Sequence, residues 1–271
     1  MRRDSKGAGP PAPFDATVTM TATPAIELRN VGRRFGALQA VRDVTFDVAV
    51  GERHAVLGPN GAGKTTLFNA ICGDFPPTSG SIRVFGRDVS DMPAHRRARH
   101  GIGRTYQQSL LFNGLSVLDN LFVAVRGVKP NRFSFLVPRR DDGHLAKARE
   151  TADRVRLSHA LDVPVGDLSH GQRRQLEVGM ALASDPRLLM LDEPAAGLSP
   201  VERPELSKLL RELPKNLTIL LIEHDMDVAL PFADRVTVMK DGAVVVSDTP
   251  DRIQNDPVVH EIYLGHGGHK H

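Results

Sequence analysis

Residues Gly58-Pro59-Asn60-Gly61-Ala62-Gly63-Lys64-Thr65-Thr66 follow the apolar run His54 to Leu57 and open the helix-forming stretch Lys64 to Cys72. A strand that turns through small residues straight into a helix aims successive backbone N–H groups at one point and adds the positive end of the helix dipole there. Such a nest holds a phosphate. Lys64 is placed to reach the terminal phosphates of a nucleoside triphosphate, and Thr65 carries the hydroxyl that a Mg²⁺ bridging two phosphates takes as a ligand. A plain glycine-rich turn with an exposed lysine would not need so many fixed offsets. The feature implies a strand–loop–helix unit, hence a layered α/β domain with a nucleotide at the carboxyl end of its strands.

The rest of the chain fits that frame. Ile26 and Leu28, then Val44, Phe46 and Val48, alternate with polar neighbours and predict half-buried strands near the amino end. His54 to Leu57, Leu188 to Leu191 and Thr218 to Ile222 are continuous apolar runs, as in strands of a parallel sheet covered on both faces. Helices at Lys64 to Cys72 and Gly171 to Ala183 would supply crossovers. Between Gln108 and Asp167 the pattern turns helical, with helices expected over Leu115 to Val125 and His144 to Leu157. The domain is therefore read as residues 25–265 with a helical lobe inserted at about 108–167, where Pro130, Pro138, Asp141, Asp142 and Gly143 mark an irregular link.

Residues 1–24, rich in Pro, Gly, Ala and Thr, lack the apolar core of a secretory signal and are read as a disordered extension. Residues 266–271, with His266, His269 and His271, are read as a flexible tail rather than a metal site. The single cysteine, Cys72, allows no internal disulfide and suits a reducing compartment. No apolar run approaches the roughly 20 residues that cross a bilayer. A formal net charge of +3 over 271 residues is too even for a scaffold spread along nucleic acid. Arg96, Arg97, Arg99, Arg104, Arg139 and Arg140 are read as solvated helix faces, which leaves nucleic acid out of the expected partners.

Two further features carry chemistry. Leu188 to Leu191 runs into Asp192-Glu193-Pro194, which puts two carboxylates at the end of a buried strand, where ligands of open α/β sheets bind. Neighbours on a strand point to opposite faces, so Asp192 can serve Mg²⁺ while Glu193 polarises an attacking water. Leu168-Ser169-His170-Gly171-Gln172 precedes a helix that Ser169 can cap, and Gly171 lets a ligand approach the backbone. This second phosphate-ready helix start has no evident use in a chain with one phosphate loop. A nucleotide shared between two chains would use both.

The set Gly58 to Thr66, Gln107, Leu168 to Gln172, Leu191 to Pro194 and His224 resembles the nucleotide-binding subunit of ATP-binding cassette (ABC) transporters, from about Ile26 to Leu264. The Leu-Ser-x-Gly-Gln element separates that family from other phosphate-loop ATPases. The stretches Gly101 to Gln107, Leu221 to Met226 and Asp256-Pro257 to Gly265 are similar to the branched-chain amino acid importer branch, and within it to the larger of two ATPase subunits.

The resemblance implies a RecA-like phosphate-loop core with a mainly parallel sheet, an antiparallel β subdomain at the amino end and an inserted helical subdomain. It implies ATP and Mg²⁺ held by Gly58, Pro59, Asn60, Gly61, Ala62, Gly63, Lys64, Thr65 and Thr66, with Phe35 stacking on adenine. Thr65, Gln107 and Asp192 would serve the metal, and Glu193, His224, Gln107 and Lys64 the catalysis. Ser169, Gly171 and Gln172 would bind the γ-phosphate held by a second ATPase subunit, the same chain or another.

By the same resemblance, the partners would be membrane permeases docked near Leu110 to Leu115 and, indirectly, a periplasmic or extracellular substrate-binding protein, with the chain peripheral on the cytoplasmic face of the cell membrane. An ATPase of a lipopolysaccharide-type exporter and a non-transport ABC ATPase acting on nucleic acid are the alternatives. Two departures stand out. His170 replaces a common glycine, and Ser199-Pro200 follows Ala195-Ala196-Gly197-Leu198 where most members have Asp.

Overall fold

The computed structural model describes residues 23–105, 111–127 and 142–264. β1 (Ile26–Phe35) and β2 (Leu38–Val48) form a long hairpin whose register sets Leu28 against Phe46 and Ile26 against Val48. β3 (Arg53–Leu57) is buried throughout and feeds the phosphate loop and α1 (Lys64–Cys72). β4 (Ser79–Val84) and β5 (Arg87–Asp88) complete an antiparallel sheet in the order β2-β1-β4-β5. α2 (Ala94–Arg99) and β6 (Ile102–Arg104) precede the helices α3 (Val117–Gly127), α4 (Asp142–Arg154) and α5 (His170–Leu182).

β7 (Leu188–Asp192), α6 (Glu202–Glu212), β8 (Thr218–Glu223), α7 (Met226–Phe232), β9 (Arg235–Lys240), β10 (Ala243–Asp248), α8 (Pro250–Gln254) and α9 (Pro257–Leu264) follow. The second sheet has the order β10-β9-β3-β8-β7-β6, parallel except for β10.

Its central strands β3, β7 and β8 are buried at every position because each face has its own cover. Ala55, Leu57, Leu189, Leu191, Ile219 and Leu221 face α3 to α7. Val56, Leu188, Met190, Leu220 and Ile222 face the other way, against Leu67, Phe68 and Ile71 of α1 and the inner face of the β1–β2 hairpin. Two covers turn an alternating pattern into a continuous one.

The helices of the expected lobe differ from the sequence reading at their ends for local reasons. α3 starts after Ser116, whose hydroxyl accepts from the Asp119 N–H at 3.1 Å and donates to the Asp119 carboxylate at 2.7 Å. α4 stops at Arg154, and Arg156 beyond it takes a left-handed φ of 61° that a helix cannot continue through. The expected extension up to residue 22, the tail at 266–271, and the irregular link apart from Asp142 and Gly143 lie outside the described residues.

The basic group expected as a solvated face divides. Arg97 is a correction to that reading: it is buried, and its guanidinium donates to the carbonyls of Ala70 (2.6 Å), Ile71 (2.7 Å), Met92 (2.6 Å) and Ser90 (3.0 Å). Two of those carbonyls end α1, so Arg97 satisfies acceptors that the helix leaves over. Arg104 is only partly exposed and forks onto both oxygens of Asp74 at 2.8 Å. Arg96 and Arg99 are exposed.

Candidate active site

The phosphate loop is shaped by what packs behind it. Gly63 has a φ of 95°, and a Cβ there would stand 2.4 Å from the Ala40 carbonyl oxygen and 3.2 Å from Gly242 Cα, so no other residue fits. Gly242 itself donates to the Ala62 carbonyl at 3.0 Å, tying the loop to the β9–β10 turn. Lys64 lies back along the loop, its Nζ donating to the carbonyls of Gly58 (2.7 Å) and Pro59 (3.0 Å). Burial pulls its pKa below the usual lysine value, opposed by the charges of Glu193, Asp192 and Glu223. In front of the loop is a cavity of about 650 Å³, lined by Asn60, Lys64, Thr65, Thr66 and Glu193, with Leu38 and Arg42 opposite.

β7 and β8 bring the acids and the histidine to that cavity's edge. Asp192 is 5% exposed, and its Oδ1 is buried with no hydrogen-bond partner among the described residues. Burial, with a contribution from the Glu193 charge, raises its pKa to about 6, against the pull of Lys64 and Arg104. Glu193 takes a left-handed φ of 45°, donates its N–H to the Ile222 carbonyl at 2.9 Å, and keeps its carboxylate partly exposed. His224 Nδ1 lies 3.4 Å from Glu193 Oε1.

Beneath them is a group the sequence reading passed over. Glu223 is 1% exposed, burial raises its pKa, and its carboxylate accepts from the backbone N–H groups of Ala195 (3.2 Å) and His224 (3.3 Å). It staples the turn after Glu193 to the residue that carries the imidazole. An acid closing a continuous apolar run was the available signal, the same one that marks Asp192. Next to it, Asp225 caps α7 and accepts from Arg203 at 2.6 Å, while Arg203 also donates to the Leu198 carbonyl at 3.2 Å.

The second helix start has the expected cap. Ser169 Oγ accepts from the Gln172 N–H at 3.2 Å, and the Gln172 side chain accepts from the Ser169 N–H at 2.9 Å, a reciprocal capping box at the head of α5. None of Ser169, Gly171 and Gln172 lines the cavity of its own chain. Nor does Phe35, whose ring is 42% exposed, meets Phe75 edge-on at 5.4 Å, and lies 4.5 Å from the Arg33 guanidinium. Leu38 of the same hairpin lines the cavity instead. Gln107 lies outside the described residues.

A family model described as ABC transporter matches residues 41–196. The chain belongs to the ABC transporter family. BraF of Pseudomonas aeruginosa, a high-affinity branched-chain amino acid transport ATP-binding protein, is 38% identical to it over 250 residues, covering 89% of this chain and 98% of the relative. LivG of Escherichia coli, with the same description, matches at the same identity and coverage.

Among solved structures, a nucleotide-free ATP-binding cassette from an ABC transporter superposes with a TM-score of 0.78 at 29% identity, covering 89% of this chain and 98% of that one. The ADP conformation of MJ1267, an ATP-binding cassette of an ABC transporter, reaches 0.80 at 28% identity, covering 89% and 99%. This ABC ATPase therefore has the expected α/β architecture: a phosphate-loop core of RecA-like kind on a mainly parallel sheet, with an antiparallel sheet built on the amino-terminal hairpin and helices alongside. Among the described residues of this ABC ATPase, no helix is long and apolar enough to cross a membrane.

Proposed function

We propose that the chain hydrolyses ATP between two ATPase subunits to energise an importer for branched-chain or related amino acids. The observation that carries this reading is the placement of the capped α5 start outside the chain's own cavity. A phosphate-ready helix end whose residues do not line the chain's own cavity suits a nucleotide brought by another subunit. Residues 25–265 form the nucleotide-binding unit of this reading, and about 108–167 its helical arm.

In this mechanism Lys64 and the loop amides supply positive field to the β- and γ-phosphates, and the partner's Ser169-to-Gln172 segment closes on the γ-phosphate. ATP then joins the two faces through its γ-phosphate. Glu193 takes the proton of the attacking water, with His224 beside it to orient that water and the γ-phosphate. Glu223 keeps the two in register through the Ala195 and His224 amides. Loss of the γ-phosphate removes the shared anion, the faces part, and the helical arm moves with its subunit.

The donor set fits Mg²⁺. Thr65, Asp192 and Gln107 offer hard oxygens, and Asp192 Oδ1 is a buried carboxylate oxygen with no partner among the described residues. Mg²⁺ held there would neutralise charge on the β- and γ-phosphate oxygens.

The names of the similar proteins favour amino acid import over lipopolysaccharide export, and the burial of Arg97 removes part of the basic patch that nucleic acid would need. A location on the cytoplasmic face of the membrane follows from this role. A tagged chain recovered from detergent-solubilised membranes with Mg-ATP should bring two permeases and an ATPase partner. Recovery with nucleic acid, or with exporter components, would overturn the reading.

A further inference from the structure

One carboxylate joins the starts of two helices. Glu202, the first residue of α6, bonds back to Ser199 ahead of the helix: its Oε2 accepts from the Ser199 N–H at 2.9 Å and from the Ser199 hydroxyl at 2.8 Å, while Ser199 Oγ lies 3.4 Å from the Glu202 N–H. A local tie needs no more than that. Yet the other oxygen, Oε1, leaves its own helix and accepts from the Gly171 N–H at 3.2 Å, in the first turn of α5, 31 residues away. The approach is close: a Cβ at position 171 would stand 2.8 Å from Oε1, and the Glu202 side chain would have to shift to admit one. The contact lies in a tight junction, where a Cβ at Gly197 would meet His170 Nε2 at 2.7 Å and Arg174 reaches the Ala196 carbonyl at 3.4 Å. The bonds from Ser199, first its backbone N–H, hold the Glu202 carboxyl below the usual carboxylate range, so it is ionised at neutral pH.

Glu202 thus presents a full negative charge to an N–H assigned above to the partner's γ-phosphate. One N–H cannot serve two anions at full strength, and two anions that close repel. We propose that Glu202 is a positioning residue that holds the place of the γ-phosphate: Oε1 occupies Gly171 until the partner's nucleotide displaces it, and Oε2 carries that displacement to Ser199. The inference rests on the shared-nucleotide reading. Each chain then sets part of its own threshold for ATP-driven closure, and the segment 195–199 that follows Glu193 moves when the threshold is crossed. The serine at 199 gains a purpose as well. Aspartate there would set a second carboxylate against Glu202, whereas the serine hydroxyl donates to it.

The test uses the full chain carrying Glu193→Gln, alone and mixed with the ATPase partner recovered with it, sedimented at rising Mg-ATP. Adding Glu202→Gln keeps the side chain's shape and its acceptor for Ser199 but removes the charge, and should lower the Mg-ATP concentration at half-association about 3- to 10-fold. Glu202→Asp keeps a charge in the first turn but is one methylene short of Gly171, and should lower the midpoint as well; it decides the matter if the glutamine variant does not fold. A tie with only a structural role predicts lower melting temperatures and an unmoved midpoint. A midpoint unchanged or raised in folded variants overturns the proposal. Failure of the Glu193→Gln parent to associate at any Mg-ATP concentration overturns the shared-nucleotide reading, and this inference with it.

Discussion

Glu193 occupies a backbone conformation that a residue with a side chain adopts at a cost of about 1–3 kcal/mol, and the surrounding hydrogen bonds hold it there. The reward is orientation. The left-handed turn lifts the carboxylate out of the strand direction and toward His224, whereas Asp192, one residue earlier, stays buried. Glu193→Gln should retain ATP binding and lose about 10²- to 10⁴-fold in hydrolysis, measured as phosphate release under saturating Mg-ATP; undiminished turnover would remove Glu193 from the chemistry.

Asp192 makes a separate, pH-dependent prediction. Its pKa is raised to about 6 in the folded chain from an ordinary 3.8, so the folded state holds the proton more tightly than the unfolded one. The stability this confers is complete below about pH 4 and is lost as pH rises through about 6. Without nucleotide or Mg²⁺, Asp192→Asn should therefore gain on the parent by up to about 3 kcal/mol between pH 4 and pH 7, read from urea unfolding at each pH. A constant difference across that range would contradict the assignment.

Elements in this fold are terminated by side chains that come from elsewhere. α1 ends where Arg97 of α2 donates to its carbonyls, and α6 ends where the Arg53 guanidinium of β3 donates to the Leu213 carbonyl at 2.7 Å and to that of Leu217 beyond it. Removing Arg97 leaves buried acceptors unsatisfied and opens a space beneath Gly73, whose Cβ position lies 2.7 Å from its Nε. Arg97→Ala should cost about 2–4 kcal/mol in equilibrium unfolding. Loss of less than about 1 kcal/mol would mean that water replaces the guanidinium at those carbonyls.

At the scale of the whole molecule, the groups proposed for hydrolysis and the expected docking surface are held on one body by the core beneath α3 to α7. The segment from Leu111 to Leu115 carries Phe112, 50% exposed, and Leu115, 38% exposed, and is pinned to α3 by Asn120, which accepts from the Phe112 N–H at 2.9 Å and donates to the Phe112 and Ser116 carbonyls. Exposed apolar side chains on a rigid support are what a permease helix would meet. Phe112→Ser should abolish recovery of permeases from solubilised membranes while the chain still binds ATP by titration calorimetry. Full recovery would place the docking surface elsewhere.

Chemistry that is contiguous in the chain was legible in the sequence. The phosphate loop, the acid pair after β7 and the continuous apolar strands each announce themselves within about ten residues, because backbone turn, helix dipole and two-sided burial act locally. The α/β class and the chain's likeness to a transport ATPase followed from them. Tertiary structure alone decided what lies across the chain: β3 between β8 and β9, Arg97 under α1 rather than in solvent, Glu223 between two backbone amides, and Glu202 at Gly171. A lone carboxylate or guanidinium has the same local signature whether it meets water or a helix end, and only the packing of distant elements determines which it finds.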